Sequence, residues 1–258
     1  MFKIGLKLWS TNMFYIKPAC SLYDDRFFDY VELLVIPGAN GSFIREWKQL
    51  RSPFSLHAPY SALGFNFSLK ENEDKNRLML QEVESYRFAL NPAYIDFHSG
   101  VDGTVEETIR QIKLFKREFK QIFNVTVIEN KPKVGLNGES CIGASPEEMK
   151  RILDETGLEF CLDFGHASCY SAWSQIVYED VINQFLELGP KIFHLSDGKR
   201  ESVTDRHDHF GDGNFNLPYI LSVIPVDSRV TIECKKGSKE NLDDFKENVS
   251  YLRNLVPV

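Results

Sequence analysis

Histidine is scarce in this chain, with six among 258 residues. Also missing is any run of about 18 apolar residues, which argues against a helix crossing a membrane. Residues 1–9 are interrupted by Lys7 and lack a small-residue cleavage site, so they predict a first strand rather than a signal peptide. The five cysteines (Cys20, Cys141, Cys161, Cys169 and Cys234) are an odd count with no C-x-x-C spacing. Cys161 and Cys234 fall in predicted strands and are expected as reduced core residues in a cytoplasmic protein. No linker, internal repeat or low-complexity stretch divides residues 1–258, which predicts one domain. Positive charge is short too: the net charge of −7 argues weakly against a polyanionic partner. Three divalent cations would nearly cancel it and concentrate positive potential at one face, so a phosphate substrate stays open.

What the chain does have is a series of short β-rich runs at 3–9, 30–36, 53–57, 93–98, 124–129, 158–163, 191–196 and 229–233. They read as continuous and apolar, as expected of a buried parallel sheet. Helical patterns separate them. Thr104 and Glu107 predict a capping box ahead of an apolar stripe of Val105, Ile109, Ile112 and Phe119. Ser145-Pro146-Glu147-Glu148 reads as an N-cap, a first-position proline and two acids, with Gly157 as the stop. Met79, Leu80, Val83, Tyr86 and Leu90 form another stripe. Eight strands alternating with helices over about 250 residues predict an α/β fold, a (β/α)8 TIM barrel.

In such barrels the active site lies at the carboxyl ends of the strands. Strands three to eight end in His57, His98, Glu129, Asp163, His194 and Glu233. Imidazole and carboxylate are the ligands of zinc and similar divalent ions, and this many carboxylates around one axis would repel without cations between them. Asp163-x-x-His166 reads as a metal pair, or as a helix-capping Asp beside a surface His. In His194-x-x-Asp197, Asp197 is either a loop anchor or the partner that orients His194. Asp205 and His207 stand two apart, so in an extended loop both point the same way, and Gly211 and Gly213 follow; a solvated acidic loop is the plainer reading. His209 reads as a spare polar residue. Glu129 and Glu233 could each pair with a lysine, Lys131 or Lys235. Tyr60 and Arg206 are candidate substrate contacts, with packing and an ion pair to a neighbouring acid as their respective alternatives.

The segments His57-Ala58-Pro59-Tyr60, Phe97-His98-Ser99-Gly100, Ile128-Glu129-Asn130, Leu162-Asp163-Phe164-Gly165-His166-Ala167, His194-Leu195-Ser196-Asp197, Asp205-Arg206-His207, Gly211-Asp212-Gly213-Asn214 and Ile232-Glu233 resemble the endonuclease IV family, also called AP endonuclease family 2, within the xylose-isomerase-like barrels. The resemblance implies about three zinc ions per chain, with manganese serving in relatives. It implies that His57, His98 and Glu129 hold the first ion. Glu129, Asp163, His194 and Glu233 would hold the second, and His166, Asp205 and His207 the third. Departures lie in Trp9-Ser10-Thr11-Asn12, in 37–42, in Ser61 after Tyr60 and in Lys131-Pro132-Lys133, segments that in the family grip DNA or flank the ligands.

The expected activity is hydrolysis of a phosphodiester in DNA on the 5′ side of abasic sites, with Glu129, Asp163 and Glu233 at the centre of the chemistry. The rival expectation is a sugar isomerase or epimerase, using one divalent metal on Glu129, Asp163, His194 and Glu233 and acting on a small sugar or sugar phosphate. No obligate protein partner is evident.

Overall fold

A computed structural model describes residues 2–38 and 42–255. Its centre is a closed barrel of parallel strands in sequence order: β1 (Lys3–Trp9), β2 (Tyr30–Leu34), β3 (Phe54–His57), β4 (Ile95–His98), β5 (Thr126–Glu129), β6 (Glu159–Asp163), β7 (Ile192–Leu195) and β8 (Arg229–Ile232). β8 closes on β1 with Gly5 opposite Thr231. The predicted barrel is therefore present, each strand lying within a residue or two of its expected span. Of the segment 37–42, residues 39–41 lie outside the described residues.

Among the described residues, ten helices wrap the barrel: α1 (Ile16–Asp24), α2 (Ser42–Trp47), α3 (Glu73–Leu90), α4 (Val105–Glu118), α5 (Lys120–Phe123), α6 (Pro146–Thr156), α7 (Phe164–Ser174), α8 (Tyr178–Leu186), α9 (Leu217–Val223) and α10 (Asp243–Leu255). None of them is long and apolar enough to cross a membrane.

Strand period explains the rest of the architecture. Alternate side chains point outward, and Leu6, Leu8, Val31, Leu33, Leu56, Phe97, Ile128, Leu162, Phe193 and Val230 pack the helices in one large core. A separate buried cluster of Tyr30, Tyr94, Val127, Cys161 and Ile192 plugs the barrel interior. Two residues further along each chain segment the inward face turns polar, at Glu32, Asp96, Glu129, Asp163 and His194. The strands were expected to be apolar throughout; toward the mouth they instead alternate, because their inward positions carry the chemistry. Gly5 makes room for this arrangement, since a Cβ there would lie 2.4 Å from the Tyr30 ring.

Local signals set the helix ends. Ser145 Oγ accepts from Glu148 N at 3.1 Å, and Gly157 ends α6 with φ of 63°. Such a cap is worth about 1 kcal/mol. At α4 only half the predicted capping box forms. Thr104 Oγ1 accepts from Glu107 N, but the Glu107 carboxylate turns to Arg110 and Gln111. The Thr104 N–H goes to Ser68 O instead. In the α3 stripe Leu80, Val83 and Tyr86 are fully buried, with Met79 and Leu90 packed at its edge.

Candidate metal centre

The strand-end residues converge at the barrel mouth. His57 Nδ1 donates to Ala58 O at 2.6 Å, leaving the Nε2 lone pair to face inward. His57 Nε2 lies 3.2 Å from His98 Nε2 and 3.5 Å from Glu129 Oε2, and His98 Nε2 lies 3.2 Å from the same oxygen. Tetrahedral ligands around an ion at about 2.0–2.1 Å stand about 3.4 Å apart, so these three atoms already have the spacing of one zinc site.

A second group shares Glu129. His194 Nε2 donates to Glu32 Oε2 at 3.0 Å, which fixes the tautomer and turns the Nδ1 lone pair toward the mouth. That nitrogen stands 3.3 Å from Glu129 Oε2 and 3.0 Å from Glu233 Oε1. Asp163, at the end of β6, caps α7 by accepting from His166 N at 2.6 Å, and it also clusters with Glu129 and His166. The capping reading holds, though beside a His166 that is buried rather than at the surface, and the same carboxylate is near enough to Glu129 and His166 to share an ion with them.

The third group lies beside them. His166 Nδ1 donates to Asn130 O at 2.8 Å, and its Nε2 is 3.6 Å from Asp205 Oδ2. His207 Nε2 is 2.8 Å from the same oxygen. Asp205 and His207 meet for a reason other than the one expected. The backbone at His207 is left-handed (φ 49°) rather than extended, and this brings its ring back onto Asp205.

The donor set fits divalent cations. Glu129 Oε1, His194 Nδ1, Asp205 Oδ2 and His207 Nδ1 are buried and, among the described residues, complete no well-aligned hydrogen bond, although the first three have an opposite group close by: His166 Nδ1 at 2.8 Å, Glu233 Oε1 at 3.0 Å and His207 Nε2 at 2.8 Å. Orphaned polar atoms of this kind cost about 1–3 kcal/mol each unless something binds them. Burial, and then Lys7, lowers His57; burial, and then Lys131, holds His98 well below the usual imidazole range. Both are thus neutral, the state in which imidazole binds metal, whereas against the pull of burial Asp163 raises His166 and Cys161 with Glu32 raises His194, so those rings would have to release a proton to an ion. Although burial opposes charge, the surrounding imidazoles keep Glu129 ionised, and Asp205 raises His207 to about 9. Burial raises Asp163 to about 6.

Sequence reasoning missed the layer beneath. Lys7 Nζ bridges Glu32 Oε1 at 2.5 Å and Glu233 Oε1 at 2.6 Å. Glu32 also accepts from Tyr94 at 2.5 Å and Thr231 at 2.7 Å, so a fully buried carboxylate is saturated with donors. Asp96 is buried below His57 and His194, and burial followed by Glu129 pushes its carboxyl well up. The signal was available, because each is a charge inside a short apolar strand, two residues before or after another inward position.

Other candidates fall away from the mouth. Asp197 does not orient His194; its oxygens accept from the backbone N–H groups of Gly198, Gly211, Gly213 and Phe215 and fold the loop. His209 accepts from Asn248 at 2.8 Å and ties that loop to α10. Arg206 is not among the residues lining the mouth and pairs with Asp208 at 2.7 Å, its alternative reading. Neither glutamate takes its neighbouring lysine, for Lys131 approaches His98 Nδ1 at 3.1 Å and Lys235 approaches Asp208 at 3.6 Å. Tyr60 does line the mouth, with its ring centroid 5.6 Å from that of His98. The five cysteines are free, Cys161 inside the barrel and Cys234 just past β8.

Over these groups opens a cavity of about 480 Å³, walled by Trp9, Phe14, Tyr60 and Leu136 on apolar sides and by several lysines. Its floor includes Lys7, His57, His98, His166, Asp205, His207 and Glu233.

Comparison with known proteins agrees with this architecture. A search of curated sequences finds no match. Among solved structures, a D-tagatose 3-epimerase-like protein superposes with TM-score 0.73 at 18% identity, covering 98% of this chain and 97% of the other. Endonuclease IV from Thermus thermophilus gives 0.71 at 18% identity, covering 98% of each chain. An IOLI protein with a binding zinc atom gives 0.67 at 13% identity, covering 98% and 96%. At these identities the likeness is one of fold. The sequence model of the xylose isomerase-like TIM barrel family, AP endonuclease 2 type, matches residues 28–255, and the chain belongs to that family.

Proposed function

We propose that this chain is a metal-dependent phosphodiester hydrolase of the endonuclease IV type, with abasic-site DNA as its first candidate substrate. One observation carries the reading. Beyond the four-residue set Glu129, Asp163, His194 and Glu233, two further ligand groups, His57–His98 and His166–Asp205–His207, face the same cavity. An enzyme using a single ion has no need of these five additional side chains.

Glu129 would bridge the first two ions, since His57, His98 and His194 all approach its Oε2. The imidazole-rich positions suit zinc, and the carboxylate-rich one also admits manganese. Ions bound there would supply a nucleophile at neutral pH and neutralise charge developing on the phosphate and leaving oxygen. The carboxylates of Glu129, Asp163 and Glu233 then act as ligands, and no side-chain base is needed. Tyr60, at the rim, is placed to orient the substrate.

A second reading keeps the sugar isomerase or epimerase. It is favoured by a cavity in the range of small-molecule pockets, roughly 300–1,000 Å³, and by the paired glutamates 129 and 233 on either side of His194. Metal analysis of the purified chain, run beside cleavage of an abasic duplex and turnover of a ketose panel, separates the two. The hydrolase predicts about three ions per chain and strand cleavage. One ion with ketose turnover would replace it by the isomerase.

A further inference from the structure

Two lysines facing the cavity form no ion pair among the described residues, although Glu233 and Asp244 lie near enough to Lys236 to act on its charge and burial lowers its pKa to about 8. Lys131 Nζ meets only the imidazole nitrogen His98 Nδ1, at 3.1 Å, and Lys236 Nζ meets only the Cys234 carbonyl, at 3.3 Å. Among the described residues neither has a carboxylate oxygen within 4.0 Å. Both are half-buried, and both line the cavity. Withdrawing a cation from water without a counter-charge is costly, and an anionic ligand is the usual compensation.

On the same wall as Lys236, where β1 pairs with β8, stand two large rings that the fold does not cover. Trp9, the last residue of β1, is 49% exposed, and Phe14, in the short turn after it, is 44% exposed. In a chain that buries most of its aromatic side chains, rings left open on the wall of a pocket are stacking surfaces. A cavity lined by cations without ion pairs and by flat apolar faces selects a ligand with an anionic group and a planar ring.

We propose that the substrate entering this cavity is a single nucleotide unit, either a small nucleotide phosphoester or the end of a strand, with Lys131 and Lys236 on the phosphate and Trp9 and Phe14 against the base. This rests on the phosphoester reading of the metal centre and narrows it, because a pocket of about 480 Å³ takes one nucleotide and not a stretch of duplex.

The test uses the protein as purified, titrated with thymidine 5′-monophosphate, thymidine and ribose 5-phosphate, and followed by calorimetry and tryptophan fluorescence. The nucleotide should bind most tightly of the three and quench the fluorescence. Lys131→Ala and Lys236→Ala should each weaken the nucleotide and ribose 5-phosphate by about tenfold, leaving thymidine unchanged. Trp9→Ala should weaken the nucleotide and thymidine by about tenfold, leave ribose 5-phosphate unchanged and remove the quench. Equal affinity for ribose 5-phosphate and the nucleotide, or no response to the three substitutions, overturns the nucleotide site.

Turnover of p-nitrophenyl thymidine 5′-phosphate beside an abasic duplex keeps the two readings apart. Nucleotide binding without cleavage of either ester supports the pocket and sinks the hydrolase. Faster cleavage of the duplex than of the small ester supports the hydrolase and sinks the single-nucleotide pocket.

Discussion

At the scale of residues, the site depends on two glutamates with different tasks. Glu129 turns one oxygen to three imidazoles, His57, His98 and His194, and the other to a fourth, His166 at 2.8 Å, so each oxygen faces a different ligand group, as a bridge requires. Glu129→Gln keeps the volume and removes the charge. It should reduce turnover to background and lower bound metal, with circular dichroism and melting close to the parent. Near-normal turnover in that variant would refute the bridge. Glu32 touches no substrate, but it fixes the tautomer of His194 and neutralises Lys7. An amide nitrogen in place of one oxygen strands either Lys7, at Oε1, or Tyr94, His194 and Thr231, at Oε2. Glu32→Gln should therefore weaken metal binding by about 10–100-fold, as loss of an outer partner does, read by competition with a chelator. Unchanged affinity would mean that His194 needs no such support. Six of the nine candidate ligands were legible because each is a chemically distinctive residue closing an apolar strand; His166, Asp205 and His207 lie in a helix and a loop and rest on spacing and the family resemblance. Glu32, Lys7 and Asp96 were harder to see, because a charge inside a strand reads as an interruption until the closed barrel shows its inward face.

At the scale of elements, the strands could be read in advance to within a residue or two, and the loops could not. Asp205 and His207 illustrate the limit. Their spacing identified the pair, but a left-handed residue rather than extended chain joins them, and no local pattern marks it. The loop after β4 shows the same dependence on distant partners. Asn66 Oδ1 accepts from Val101 N at 3.1 Å and Asn66 Nδ2 donates to Val101 O at 2.9 Å, so a buried amide from another segment shapes the chain just beyond His98. Gly103 lets the backbones close there, since a Cβ would lie 1.8 Å from Ser68 O. A main-chain oxygen cannot swing aside as a side chain can. Gly103→Ala should cost about 3 kcal/mol, the upper part of the overpacking range, measured by urea unfolding. The same position explains the half-formed capping box, because Thr104 N already donates to Ser68 O. A cost below about 0.5 kcal/mol would show that the loop relaxes freely.

At the scale of the whole molecule, the barrel interior and mouth gather more carboxyl groups than lysines and arginines to pair with them. Glu32, Asp96, Glu129, Asp163, Asp205 and Glu233 gather inside or at the mouth; among the described residues, Lys7 alone of the lysines and arginines forms ion pairs with any of them. The imidazoles take up part of the difference, at the expense of the lone pairs that would bind metal. Cations that bind the folded chain and not the unfolded one must then raise stability by mass action, about 2.7 kcal/mol for an ion at a hundred times its Kd. In a protein of this size each kcal/mol moves the melting midpoint by roughly 2–4 °C. Chelation should therefore lower the midpoint by several degrees, and zinc added back should restore it in a concentration-dependent way. The effect should be smaller in His57→Ala and in His207→Ala, each of which removes a ligand from a different group. Equal loss in the two variants would point to separate ions on the two sides of Glu129. A midpoint indifferent to chelator, with metal shown to have left, would mean that the acidic mouth is balanced by the protein's own imidazoles, and the multi-ion centre would have to be given up.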